Sequence, residues 1–408
     1  MAKRKQHWGK TPWTITFRGG IKRLPAAVDF AVVGGGFTGL AAAAWLKRKA
    51  PGKSVLLLEA GRLGNGASGR TGGMALAASA AGDLPGLGDV LRGYRKILRN
   101  LRVDGDVRLP GVWEIGRGEW SMEGKRIRPL KDSPIDWSDS GRVRAVGQVP
   151  GGSVNPGKVL SGLARAAKKS GVTIAEEAEV VGLEFSQPLR LRVRCRRNGR
   201  MVESSVLAGK ILLATNAGGL HVTEKSFRGA RPEPKLTFAI ATAPLTKRQR
   251  EAIGMRSGRP FYTVDIPYLW GRPLRNGGMV FGSGLVPGFA ERLRRNGKRG
   301  EALWGGLEKV DVRRGAAAHR LRELERRVRG LHPALENIRV THRWGGPILL
   351  TRNFVPVFRH DSRSSKVIVL GGFSGHGVAQ SVYLGVRAAE CLLGRARVPG
   401  WNEERAKA

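Results

Sequence analysis

Residues Val32–Leu40 read VVGGGFTGL, three consecutive glycines at the end of a β-branched run. Glycine costs backbone entropy and contributes no packing, so three in a row imply that something approaches the backbone closely. The run before them, Val28–Val33 (VDFAVV), is apolar and strand-like, and the stretch after them, Leu40–Lys49 (LAAAAWLKRK), is rich in helix formers and stops at Pro51-Gly52. A second apolar run, Ser54–Ala60 (SVLLLEA), ends at Glu59, twenty residues past Gly39. Strand, G-x-G-x-x-G turn, helix, strand and acid together make a dinucleotide-binding βαβ unit. In that unit Gly34 makes the tight turn, Gly36 admits a pyrophosphate and Gly39 lets helix and strand pack closely. The helix N-terminus offers free N–H groups to phosphate, and Glu59 accepts from ribose hydroxyls.

The next segment, Gly61–Met74 (GRLGNGASGRTGGM), is glycine-rich again and carries Arg62, Ser68, Arg70 and Thr71. It reads either as a flexible linker or as further backbone amides and an arginine beside the phosphate site. The second reading suits a longer dinucleotide with a flavin. Near the C-terminus, Val367–Leu370 is a short apolar strand, Gly371–Gly377 is a loop with four glycines, and Val378–Leu393 has helical periodicity. A helix N-terminus there would stabilise negative charge on a reduced flavin. His376 in that loop either donates to the flavin or touches substrate, or else braces the loop.

These stretches resemble the FAD-dependent oxidoreductases of the D-amino-acid-oxidase superfamily, in particular the branch similar to gamma-glutamylputrescine oxidoreductase. The likeness rests on VVGGGFTGLAAAAWL and LLLEAGRLGNGASGRTGG, and recurs at Ser153–Glu177, Ile211–Ala217 (ILLATNA), Trp344-Gly345-Gly346 and Val369–Gln380, so that it spans residues 28–395. It implies an α/β (α+β) fold: a Rossmann-like βαβ FAD domain with a discontinuous antiparallel-sheet substrate domain. The FAD domain would use 28–100, 150–230 and 340–395, the substrate domain 101–149 and 231–339, with a basic extension at 1–27 and a tail at 396–408. The resemblance implies cofactor contacts from Phe37, Thr38, Ala60, Gly69, Gly72, Gly73, Met74 and Val180. It implies further contacts from Thr215, Asn216 and Ala217, and from Gly372, Phe373, Ser374, Gly375, Gly377 and Val378. It places Trp344 beside the flavin.

Phe261–Trp270 (FYTVDIPYLW) reads either as a core strand with buried aromatics or as an amine pocket lined by Tyr262, Asp265, Tyr268, Trp270 and Arg272. The candidate catalytic residues are therefore His376, Trp344, Tyr262 and Tyr268. Two departures from the family pattern bear on substrate. The arginine that binds a substrate carboxylate in amino-acid oxidases is matched by Ile348, which favours an amine or N-substituted compound. The T-P-D further on is Thr351-Arg352-Asn353. No cysteine lies between Cys195 and Cys391, so a cysteine-linked flavin is not expected and FAD is expected to be noncovalent.

Composition bounds the remaining possibilities. The 408-residue chain has room for two domains, and 41% hydrophobic residues is ordinary for a globular protein. Lys plus Arg is 72 against 32 Asp plus Glu, a formal net charge of +40. Such a surface attracts nucleic acid, anionic lipid or acidic proteins, or simply carries solvated arginine. No basic run is long enough to be a tail, which favours the solvated surface. Two distant cysteines make neither a disulfide framework nor a metal site and fit a reducing cytoplasm. No apolar secretory region follows MAKRKQHWGKTPW, and no run spans a membrane. A cytoplasmic location is expected, and the charge also fits a peripheral position at an anionic membrane. The expected reaction is oxidation of a C–N bond, by hydride transfer to flavin N5 and hydrolysis of the imine. Oxygen or a quinone would reoxidise the flavin. Two other readings are a flavoenzyme modifying aminomethyl groups of tRNA wobble uridines, and a flavin-binding protein without turnover.

Overall fold

The computed structural model describes residues 7–19, 23–117, 119–121, 124–197, 200–227, 229–230, 232–283 and 310–401. The first six residues of the basic extension, residues 284–309 of the expected substrate segment and 402–408 of the tail lie outside them.

The strand expected before the glycines forms at Ala27–Val33, in the middle of a mixed sheet. It pairs in parallel with Val55–Leu58 on one side and with Arg200–Leu213 on the other. Ser364–Gly371 continues the parallel order beyond Arg200–Leu213, and Thr173–Ala175 continues it beyond Val55–Leu58. Ala31 and Val33 pack into one apolar cluster while Phe30 and Val32 pack into another. Both faces of this strand are therefore covered, which is why its sequence is a continuous apolar run.

The helix after the turn spans Phe37–Lys49, three residues earlier than its composition indicates, because Gly36 is its N-cap. Leu40, Ala41, Ala42, Ala43, Ala44 and Leu46 are wholly buried. The small alanines let it pack directly against the C-terminal helix Gly377–Leu392. At the crossing a Cβ on Gly385 would stand 2.5 Å from the Thr38 carbonyl oxygen. Both helices begin at a strand–glycine-turn junction, so their N-termini open on the same region.

A second sheet has the strand order Val340–Leu350, Glu233–Thr242, Met279–Ser283, Leu269–Pro273, Phe261–Thr263, Val112–Gly116, Arg142–Val149, Asp136–Ser138. All its pairings are antiparallel except Phe261–Thr263 with Val112–Gly116. The helix Gly315–Gly330 buries Leu321, Leu324 and Val328 on its apolar cluster. Val340–Leu350, which the resemblance assigns to the FAD half, hydrogen-bonds along Glu233–Thr242 and lies in this second sheet. Its sequence, VTHRWGGPILL, does not name its neighbour; the long-range register does.

Residues 7–19 run from one sheet to the other. His7 donates its amide to Val310, and Gly345 donates to the Trp8 carbonyl at 2.8 Å. Further along, Thr16 donates to Ser161 and Gly19 to Glu176. At the other end, Trp401 is buried against Phe358 and donates to the Pro356 carbonyl.

Candidate active site

Gly34 has φ +110°, a left-handed conformation that other residues adopt at a cost, and its Cβ would stand 2.5 Å from the Ala214 carbonyl. A Cβ on Gly39 would lie 1.9 Å from the Gly34 carbonyl oxygen. Gly39 therefore lets the helix close on its own turn. A Cβ on Gly36 would meet the Ser68 hydroxyl at 2.8 Å, and that hydroxyl accepts from the Phe37 amide at 3.0 Å. The second glycine segment thus folds back over the first helix N-terminus. Glu59 spans the turn: one carboxylate oxygen accepts from Gly35 at 2.8 Å, the other from Gly61 at 2.9 Å. Burial pushes its pKa above the usual carboxylate range, and the two amides oppose that shift.

These elements enclose one end of a cavity of about 1430 Å³. Its lining includes Gly34, Gly36, Phe37, Thr38, Glu59 and Ala60, then Ser68, Arg70, Thr71, Gly72 and Met74. Val180 lines it from the strand Ala178–Glu184, and Thr215, Asn216 and Ala217 line it from the turn that follows Arg200–Leu213. Phe373, Ser374, Gly375, His376, Gly377 and Val378 line it from the C-terminal loop, and Trp344, Tyr268 and Trp270 from the second sheet.

Eight of the expected residues do not line it. Gly39 packs inside the turn. Arg62 reaches out to Glu177 at 3.8 Å, because its backbone is on the solvent side of the loop. Gly69 faces Gly64 and gives its carbonyl to Trp13. Gly73 turns toward Val154 and Arg272, and Gly372 toward Thr351. Tyr262 is a correction to the catalytic candidates. It sits opposite Trp270 in register, one strand further from the cavity, and its hydroxyl donates to Glu114 at 2.7 Å. Asp265 and Arg272 are also placed otherwise than in an amine pocket. Asp265 pairs with Arg117 at 3.2 Å, and Arg272 is buried with its guanidinium on the Gly72 carbonyl.

Among the retained candidates, Trp344 is fixed most firmly. Its indole N–H donates to the Arg70 carbonyl at 2.9 Å, and its ring meets Trp13 edge to face at 5.5 Å. His376 caps the C-terminal helix by position, without a side-chain bond to that helix, and its buried Nδ1 has no hydrogen-bond partner among the described residues. Burial pushes its imidazole below the usual range, so it is neutral at pH 7. Burial holds the Tyr268 phenol up at about 12, so it stays protonated. The cavity also has walls that motif reasoning passed over. Trp8 lines it with the Arg70 guanidinium 5.6 Å from its ring, and Ile266, Arg320, Glu323 and Arg327 line its outer part. Trp8 and Trp13 carry no spacing signal; only their density in a short polar segment marks them.

The arrangement defines a dinucleotide-binding protein whose cofactor cradle runs continuously into a second chamber. The chain belongs to the DAO family of FAD dependent oxidoreductases, matched over residues 29–391. It is 28% identical over 404 residues to a probable oxidoreductase OrdL of Haemophilus influenzae, covering 90% of this chain and 83% of that one. It is 24% identical over 408 residues to gamma-glutamylputrescine oxidoreductase of Escherichia coli, covering 90% and 84%. Glycine oxidase of Geobacillus kaustophilus shares the fold, with a TM-score of 0.67 at 17% identity, covering 93% of this chain and 98% of that chain. The protein is an FAD-dependent oxidoreductase.

The residues present fit FAD. Gly34 and Gly36 leave backbone exposed where any side chain would intrude, at the start of a 13-residue helix. Thr215 and His376, both on the cavity lining, each carry a buried polar atom, Oγ1 and Nδ1, with no hydrogen-bond partner among the described residues. Among the described residues, no group of His, Cys, Asp and Glu could hold a metal ion, and no helix is long and apolar enough to cross a membrane.

Proposed function

We propose that this protein oxidises the C–N bond of a small amine or N-substituted amino compound, with FAD held noncovalently. One observation carries the reading. A single cavity joins the glycine cradle to a chamber walled by Tyr268, Trp270, Trp344 and Ile348. Ile348 supplies an apolar surface where a carboxylate-binding guanidinium would be needed for an α-amino acid. The name of one relative, gamma-glutamylputrescine oxidoreductase, supports the amine class.

In this reading Gly34–Gly36, the first helix N-terminus and Ser68 hold the pyrophosphate, and Glu59 holds the adenosine ribose. Neither Cys195 nor Cys391 lines the cavity, which supports a noncovalent hold. Held there, FAD would supply two-electron oxidation as the acceptor of a hydride from the carbon beside nitrogen, and the resulting imine would be hydrolysed by water. The chain's task is placement and exclusion of water. Trp270 and Tyr268 offer apolar ring surface to the carbon chain of the amine, and the amine binds as the neutral base, so it needs no strong protein base. His376 lines the cavity, and burial favours its neutral imidazole. The start of the Gly377–Leu392 helix favours the negative charge of the reduced cofactor.

The test is anaerobic addition of an amine and amino-acid panel to the yellow holoprotein. Bleaching by one or a few amines, and not by α-amino acids, is expected. A flavin that no amine reduces would overturn the substrate class.

A further inference from the structure

The outer wall of the cavity hangs on a buried set of charges. Val264–Tyr268 is the loop between Phe261–Thr263 and Leu269–Pro273, and its last three residues line the cavity. Ile266 at its tip is 75% exposed, which places the loop at the opening. Few apolar contacts hold such a tip, so polar anchors must.

Two arginines and two aspartates supply them. The Asp265 carboxylate accepts from the Arg117 amide at 2.6 Å and from its guanidinium at 3.2 Å. The same guanidinium donates to the Asp139 carbonyl at 3.3 Å. Arg327, on the Gly315–Gly330 helix, donates to the Asp139 carboxylate, from Nε to Oδ1 at 3.1 Å and to Oδ2 at 2.9 Å, and from Nη2 to Oδ2 at 2.5 Å. Its remaining donors reach the Tyr268 carbonyl at 3.0 Å and the Pro267 carbonyl at 2.7 Å. All four side chains are at most 17% exposed.

We propose that Arg327 is a positioning residue of the active site. Through Asp139 and the two loop carbonyls it sets where Tyr268 stands in the cavity. The placement needs the arginine fork. A carboxylate and two carbonyls in different directions take up most of its five planar N–H donors. A lysine has three donors on one nitrogen and satisfies the carboxylate while releasing the carbonyls. Arg117 and Asp265 hold the near end of the same loop, so losing Arg327 frees Pro267 and Tyr268 and not the whole hairpin.

The chain has four tyrosines, Tyr94, Tyr262, Tyr268 and Tyr383, so full-length holoenzyme labelled with 3-fluorotyrosine gives four fluorine resonances. Tyr268→Phe assigns one of them. Arg327→Lys is expected to move or broaden the Tyr268 line and leave Tyr94 and Tyr383, in the helical layer, where they are. The exposed neighbour substitution Arg326→Lys is expected to move none. The kinetic part rests on the proposed amine oxidation. For the amine that bleaches the wild type best, Arg327→Lys should raise KM about tenfold with kcat nearly unchanged, the mark of lost uniform binding. If Arg327→Lys yields no folded protein, Asp139→Asn removes the shared anion and should move the same line. An unmoved Tyr268 line, or all four lines moving together, overturns the positioning role. A shifted Tyr268 line in a protein that no amine reduces would refute the substrate class and leave the positioning role standing.

Discussion

Trp13 is where the N-terminal segment meets the cavity wall, and replacing it in two steps separates packing from hydrogen bonding. Its indole is 7% exposed, donates to the Gly69 carbonyl at 2.8 Å and stacks edge-on to Trp344. The Arg272 guanidinium lies 5.8 Å from the ring. Trp13→Phe keeps a ring in the slot and removes the donor, leaving a buried carbonyl unpaired at a cost of about 1–3 kcal/mol. Trp13→Ala also removes the ring and the aromatic pair, for a total of about 3–5 kcal/mol. At the scaling of larger domains the alanine variant should melt about 6–20 °C lower, with phenylalanine between it and wild type. Melting is followed by intrinsic fluorescence and, in parallel, by release of flavin fluorescence. The two signals should fall together, because Trp13 holds Gly69 of the glycine segment and Trp344 of the facing strand. Both variants melting within about 2 °C of wild type would refute the reasoning, since exposed substitutions rarely exceed 0.5 kcal/mol.

Other outcomes follow from the same geometry. Gly39→Ala places a methyl 1.9 Å from the Gly34 carbonyl oxygen and should cost at least about 1–3 kcal/mol while weakening FAD retention. Gly52→Ala, with open space around its Cβ, should change neither melting nor FAD content. Burial holds the His376 imidazole below its ordinary value of 6.5, so the folded state resists protonation there. That stability is complete above pH 6.5 and is lost as pH falls through the lowered value, so a pH series of melts should slope less steeply on the acid side in His376→Gln. Burial raises the Cys391 thiol to about 11, so in native protein at about pH 8 it should alkylate far more slowly than in unfolded protein, as read by mass spectrometry.

The dinucleotide half was the legible part, because its signals are local. A glycine turn, the strand before it, the helix after it and an acid twenty residues on lie within one short window. The same holds for Gly371–Gly377 between a strand and a helix. What stayed hidden depends on register between distant strands. Tyr262 and Trp270 face each other across a hairpin, yet only Trp270 reaches the cavity, because sheet order puts it one strand nearer. Composition cannot rank those two aromatics. Trp8 and Trp13 were equally illegible, since their partners Arg70, Gly69 and Trp344 lie far along the chain. Arg62 and Arg70 share a glycine-rich segment, but backbone turns send one to Glu177 and the other to the cavity. Arg327 is one of several arginines on the Gly315–Gly330 helix, and only its bonds to Asp139 and the loop carbonyls distinguish it.

The central claim is that the glycine cradle and the two helix N-termini hold one FAD per chain. Apoprotein stripped of cofactor, incubated with FAD and desalted, should retain one equivalent of visible flavin absorption, and Gly36→Val should retain none while still folding. Wild-type protein that emerges colourless, or a Gly36→Val variant that binds FAD as well as wild type, would contradict the account.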